Sequence, residues 1–214
     1  MLINNLPMNV GETLTGTDAD GNLIHTDKLG LPYVIPLNRL TNLQRGNKSR
    51  LSYKPLVGVL LRNTSGGALL GKRLGQLSRT AGYGMCQNVD GYSTTYANFG
   101  VVLIDPYLPS AGVASNDVFW GFIAGQLPVL VPMAGADMYG DIAANAPLVS
   151  ATGTTTGATT SGRVSNITLA GQTAATVSVQ TALGYVGRAL SARTTQETTA
   201  GTDILVDFGI SFWK

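Results

Sequence analysis

The stretch Asp203–Trp213, DILVDFGISFW, decides the fold. Ile204, Val206, Phe208, Ile210 and Phe212 fall on one face, and Asp203, Leu205, Asp207, Gly209 and Ser211 fall on the other. A spacing of two is that of a strand, not of a helix. An apolar face against a wetter face predicts a half-buried strand, with this end of the chain tied into a sheet.

The same reading extends upstream. LVGVLL (56–61) is a short buried run closed by RNTSGG, and GVVLI (100–104) is another, closed by DPYLPSAG. ATVSVQT (175–181) alternates cleanly. LPVLVPM (127–133) alternates but holds Pro128 and Pro132, which suits an edge strand. Long helical periodicity is scarce. GALLGKRLGQLSRT (67–80) could form a short helix, but Gly71 and Gly75 weaken it. The expected fold is all-β, a sandwich or barrel-like domain with long loops. Residues 1–55 read as irregular, rich in Gly, Pro, Asn and Asp with short apolar bursts. They are expected to form an extended basic N-terminal arm with a few anchors, ahead of a β-rich domain over 56–214.

Val118–Ala136, VFWGFIAGQLPVLVPMAGA, carries no charge and nearly reaches the length of a membrane helix. Pro128 and Pro132 remove helix donors, and Gly121, Gly125 and Gly135 weaken a helix further. The expectation is two buried strands with a turn near Gly125–Gln126, and no membrane as a partner. MLINNLPMNV lacks the basic start and apolar core of a signal peptide.

The chain of 214 residues is 44% hydrophobic and only 12% charged, so it can bury a core without staples and leaves much neutral surface. One cysteine, Cys86, excludes an internal disulfide framework and fits a small buried residue. Charge is distributed unevenly. Residues 28–89 hold ten of the fourteen bases and none of the twelve acids, so that span carries +10 and the remainder −8. Such a span calls for a negative partner: nucleic acid, a membrane surface or an acidic protein face, unless it packs on the acidic rest of the same chain or on a neighbouring copy. Arg39, Arg45, Lys48, Arg50, Lys54, Lys72 and Arg73 are the candidate partner-binding residues.

Chemistry is mostly missing. His25 is the only histidine and sits in the polar stretch NLIHTDK, so a Ser-His-Asp or Cys-His arrangement would have to be built on a solvated loop. No His/Cys/Asp/Glu set has zinc spacing. GGALLGKR (66–73) matches most of a phosphate-binding loop, but Arg73 stands where the magnesium-holding hydroxyl belongs. DADGN (18–22) hints at calcium but lacks the remaining ligands, and reads as a tight turn. Tyr83, Tyr92, Tyr96 and Phe99 could stack on bases, but in a β protein they more often fill a core or an interface. No catalytic residue, metal, cofactor or small-molecule substrate is expected; the chain does not read as an enzyme.

Four segments in order resemble the decoration, or cement, proteins of tailed-bacteriophage capsids. They are LRNTSGGALLGKRLGQLS (61–78), VDGYSTTYANFG…VPM (89–133), APLVSATGTTTGATTSGRV (146–164) and YVGRALSA…DILVDFGISFW (185–213). Leu148–Gly153 and Gly187–Ala192 carry the small-residue motifs, and the resemblance covers about residues 56–213. It implies a virion protein made in the host cytoplasm that binds the outer capsid surface. Its partners would be the major capsid protein and copies of itself, as a homotrimer or a dimer. It would strengthen the shell against the pressure of packaged DNA. The alternatives are another virion component, such as a tail or fibre subunit, or a nucleic-acid-binding protein using residues 28–89.

Overall fold

The computed structural model describes residues 6–35, 56–79, 86–93, 100–130, 142–150, 162–166, 185–192 and 203–209. These residues form ten strands: β1 (Pro32–Ile35), β2 (Leu56–Asn63), β3 (Leu74–Arg79), β4 (Cys86–Tyr92), β5 (Val101–Ile104), β6 (Val118–Leu130), β7 (Pro147–Ser150), β8 (Val164–Asn166), β9 (Tyr185–Ala189) and β10 (Asp203–Gly209). The fold is all-β, as the alternation predicts. The possible helix over 67–80 is instead a turn leading into β3. One short 3-10 turn occupies Thr26–Lys28.

The strands follow the order β1-β2-β4-β3-β5-β6-β10-β9-β7-β8, and β2 also pairs with β6. That extra seam closes β2, β4, β3, β5 and β6 into a five-stranded barrel. The β2–β4 seam is parallel and short, at Arg62–Asn63 against Asn88–Val89. The other four seams are antiparallel. Closure removes the exposed edges that an open sheet would carry.

Both faces of β2, β5 and the first half of β6 are buried, whereas β4 buries Val89 and leaves Asp90 exposed. All five barrel strands contribute to one apolar cluster, which includes Val59, Leu61, Leu77, Val89, Val102, Ile104 and Phe119; this is the barrel interior. The alternate positions, among them Leu56, Leu60, Leu74, Val101, Leu103, Trp120 and Phe122, face outward into a second cluster. There they meet Met8, Val10, Tyr33 and Ile35 on one side, and Leu148, Val186, Ile204, Val206 and Phe208 on the other. Tyr33 packs edge-on against Trp120, with centroids 5.4 Å apart. Hence LVGVLL, GVVLI and VFWGFI read as unbroken apolar runs.

β6 is one continuous 13-residue strand, not two strands with a turn at Gly125–Gln126. Its first half, Val118–Ala124, pairs with β2, and its second half, Ala124–Leu130, pairs with β10. Gly125 takes φ +129, and a Cβ there would lie 2.5 Å from Leu56 Cδ2. A glycine can redirect the strand without ending it, because β10 takes up the pairing where β2 stops. Leu130 donates its amide to Lys72 O at 2.8 Å, away from β10. By alternation the nitrogen of Pro128 points to that same side, so its missing N–H costs the β6–β10 ladder nothing. Pro132 and the clean alternation at 175–181 lie outside the described residues.

β10 keeps the predicted alternation: Ile204, Val206 and Phe208 are buried, Asp203, Leu205 and Asp207 are half-buried, and Gly209 is exposed. Ile210, Phe212 and the rest of that stretch lie outside the described residues.

The N-terminal region departs from a loosely anchored arm wherever it is described. β1 pairs with β2, Leu14 and Val118 exchange two 2.9 Å backbone hydrogen bonds, and Met8, Val10 and Leu29 are buried. Residues 6–35 therefore pack against the same core as the barrel strands. Apolar bursts too short to signal a strand are enough to fill a surface prepared by distant segments.

Candidate functional site

Of the seven candidate partner-binding residues, Arg39, Arg45, Lys48, Arg50 and Lys54 lie outside the described residues. Lys72 and Arg73 occupy the turn that opens β3, where the barrel meets the second sheet, the β10-β9-β7-β8 run of strands beyond β6. Lys72 has φ +63, and its amide donates to Ile104 O at 3.3 Å. Its Nζ lies 2.7 Å from Asp203 Oδ2 at the start of β10. Backbone and side chain of this one residue thus join β5, β6 and β10. Arg73 accepts the Ile104 amide through its carbonyl at 2.8 Å, and its guanidinium sits 4.9 Å from the centroid of the Tyr92 ring. Its Nε is buried without a hydrogen-bond partner among the described residues, as expected of a guanidinium lying against an aromatic face. Tyr92 is held in turn by Leu70, whose amide donates to the phenol oxygen at 2.7 Å. Tyr92 therefore packs within the protein and does not present a stacking platform. Tyr83, Tyr96 and Phe99 lie outside the described residues, as does the side chain of Cys86.

Arg62, a third base of the acid-free span, is consumed inside the fold. Only 2% of it is exposed. Its Nη1 donates to Gly16 O at 2.7 Å and Asn116 O at 3.0 Å, and its Nη2 donates to Ile24 O at 2.5 Å. One guanidinium so fastens the Thr17–Leu23 hairpin and the loop before β6 to the barrel. Burial pulls its pKa below the usual arginine range, and the charge of Asp117 opposes that shift. Part of the basic span thus meets the acidic remainder of its own chain, one of the readings open from charge alone.

The phosphate-loop near miss is resolved by topology. Gly66–Arg73 leads into strand β3 rather than a helix, so no helix N-terminus is aimed at an anion there, and Lys72 is engaged by Asp203. The 18–22 segment is a turn closed on itself. Asp18 Oδ1 accepts the amides of Asp20 at 3.0 Å and Asn22 at 2.8 Å, and Asp18 Oδ2 accepts Asn22 Nδ2 at 3.1 Å. The Asn22 side chain first, then its backbone, holds the Asp18 carboxyl below its usual range. His25 stands in left-handed backbone ahead of the 3-10 turn. Among the described residues no group of three or more His, Cys, Asp or Glu could hold a metal ion. No helix among them is long and apolar enough to cross a membrane.

One charged group escapes any reading by motif. Asp105, directly after β5, has no exposed surface. Its Oδ2 accepts the Gly11 amide at 2.6 Å and its Oδ1 the Tyr107 amide at 2.9 Å. Burial pushes its pKa up to about 7, against the lowering effect of those two donors. Burial also raises the Tyr107 phenol to about 12, helped by the charges of Asp105 and Asp203. The only hint in the sequence is position: an acid directly after a fully apolar strand. Comparison with protein-family models, with curated proteins and with solved structures gives no match.

Proposed function

We propose that this chain is a structural virion protein that binds the outer surface of a phage capsid and stabilises the shell. One observation carries the reading. The segments of the C-terminal half that resemble decoration proteins fall on neighbouring strands: PLVS on β7, YVGRA on β9 and DILVDFG on β10, which lie side by side in the order β10-β9-β7. A resemblance scattered by chance has no reason to assemble into one contiguous sheet. The chain that follows β7 suits the role. Residues 151–184 carry one charge, Arg163, and are otherwise mostly Gly, Ala, Thr, Ser and aliphatic residues. A segment so poor in charge can meet a neighbour without stripping water from many ions.

The physics of the proposal is mass action on a lattice. A ligand that binds the assembled shell, and not the free subunits, shifts the equilibrium toward the shell. A homotrimer or dimer touching several capsid subunits gains effective concentration, so modest contacts suffice. The candidate contacts to the acidic face of the major capsid protein are Arg39, Arg45, Lys48, Arg50 and Lys54. Lys72 and Arg73 drop to a lesser role because each already has a partner.

Co-sedimentation with undecorated capsids at moderate salt tests the proposal. Saturable binding in fixed ratio to the shell protein, with a raised shell melting temperature, is the expected result. Binding to bare DNA that fades steeply with salt, without binding to shells, overturns it in favour of a nucleic-acid surface.

A further inference from the structure

We infer that residues 6–14 form a proton-linked strap, whose docking over the barrel is coupled to proton uptake by Asp105 and loosens as the pH rises. This inference does not depend on the virion proposal. The strap is held at three points. Trp120 Nε1 donates to Met8 O at 3.3 Å, Gly11 N donates to Asp105 Oδ2, and Leu14 pairs with Val118 through two backbone bonds. Met8 and Val10 are buried beneath it, and Leu6 and Leu14 pack against the same cluster. Gly11 fits closely: it has φ +88, and a Cβ would stand 3.0 Å from Tyr107 O. The middle contact of the strap is therefore made to a carboxylate that the docked fold seals from water.

The groups facing that carboxylate do not compensate its charge. From the strap comes a neutral amide, while Glu12 is exposed and engaged by Asn9. From its own turn comes Tyr107, whose phenol stays neutral well beyond physiological pH. Trp120 of β6 accepts the amide of Asp105 at 3.0 Å and brings no charge. On β10, Asp203 adds negative charge nearby and is paired with Lys72 from the β3 turn. Arg73, next to Lys72, lies on Tyr92. Among the described residues no cation forms an ion pair with Asp105.

The sign follows from linkage. With the strap undocked, Asp105 meets water and titrates as an ordinary carboxyl; docked, it holds its proton to about pH 7. The docked state binds more protons between those limits, so raising the pH favours release. The loss of docking is complete above the docked pKa and absent below the ordinary carboxyl range.

Two measurements on the full chain test this. Carbon-detected NMR of the Asp105 side-chain carboxyl in the unaltered protein should show titration near neutral pH. Amide exchange should show the protection of Gly11 falling about tenfold from pH 6 to 8.5, after correction for intrinsic exchange, while the Ile104 amide holds steady. Asp105→Asn should flatten the response of Gly11, and Glu12→Gln should leave it unchanged. An Asp105 titrating in the ordinary carboxyl range overturns the inference even if Asp105→Asn fails to fold. So does a Gly11 protection that stays constant with pH, or one that still falls in Asp105→Asn.

Discussion

The barrel and the β10-β9-β7-β8 sheet use the same kinds of side chain in different ways. In the barrel β2, β5 and the first half of β6 bury both faces: one fills a narrow closed interior, and the other packs against the strap, β1 or the second sheet. In the second sheet, β10 buries one face and leaves Asp203, Leu205 and Asp207 partly wet. A closed ring also surrounds its interior on all sides, so the interior cannot relax outward when atoms are removed. An open sheet with a wet face has room to adjust. The difference teaches that burial depth alone does not rank positions here; the number of walls around a side chain does.

Phe119→Ala should break the comparison most directly. Its side chain is fully buried inside the barrel, and its loss should cost about 3–5 kcal/mol by chemical denaturation. Phe208→Ala on β10 should cost less; equal losses would remove the distinction between closed and open walls.

The charged groups at the barrel sharpen the contrast. The folded-state pKa of Asp105 is raised, so its contribution is full below the ordinary carboxyl range and is lost as pH rises toward about 7. Stability of the parent relative to Asp105→Asn should therefore fall by about 1.4 kcal/mol per pH unit across that window. Arg62→Ala removes a buried guanidinium and its hydrogen bonds to the carbonyls of Gly16, Ile24 and Asn116, and should cost about 3 kcal/mol. Both values come from denaturation midpoints, the first from a pH series.

The seam between the two regions should respond weakly. Lys72 and Asp203 form a partly exposed pair, with 39% and 21% of their side chains accessible, so Lys72→Ala should cost less than about 1 kcal/mol and less still at high salt. At the wetter face of β10, Leu205→Thr should change stability by no more than about 0.5 kcal/mol. A large loss at either position would mean that the second sheet is tied to the barrel more stiffly than these contacts provide.

Legibility in the sequence follows the same division. The strand at β10 could be read residue by residue, because one wet face leaves an alternating signature. β6 could be read as apolar and as β, but not as one strand. Its continuity rests on Gly125 and on β10 arriving where β2 leaves, and neither is a local property. The basic span was visible as a run of charge, yet the fate of Arg62 was not, since the carbonyls it binds come from Gly16, Ile24 and Asn116. Asp105 was hidden for the same reason: the amide that covers it belongs to Gly11, 94 positions away.

By itself the sequence determined the all-β class, the scarcity of helix, the concentration of bases over residues 28–89 and the alternation of β10. Periodicity and composition act over a few neighbours, where backbone geometry is set. Only the tertiary structure decided that five strands close into a barrel and that residues 6–35 belong to its packing. It alone placed Lys72, Arg73 and Arg62 against partners within the chain, and the Asp105 carboxyl under residues 6–14. Those outcomes depend on which distant segments share a seam or a cavity, and burial and electrostatics act through that proximity in space.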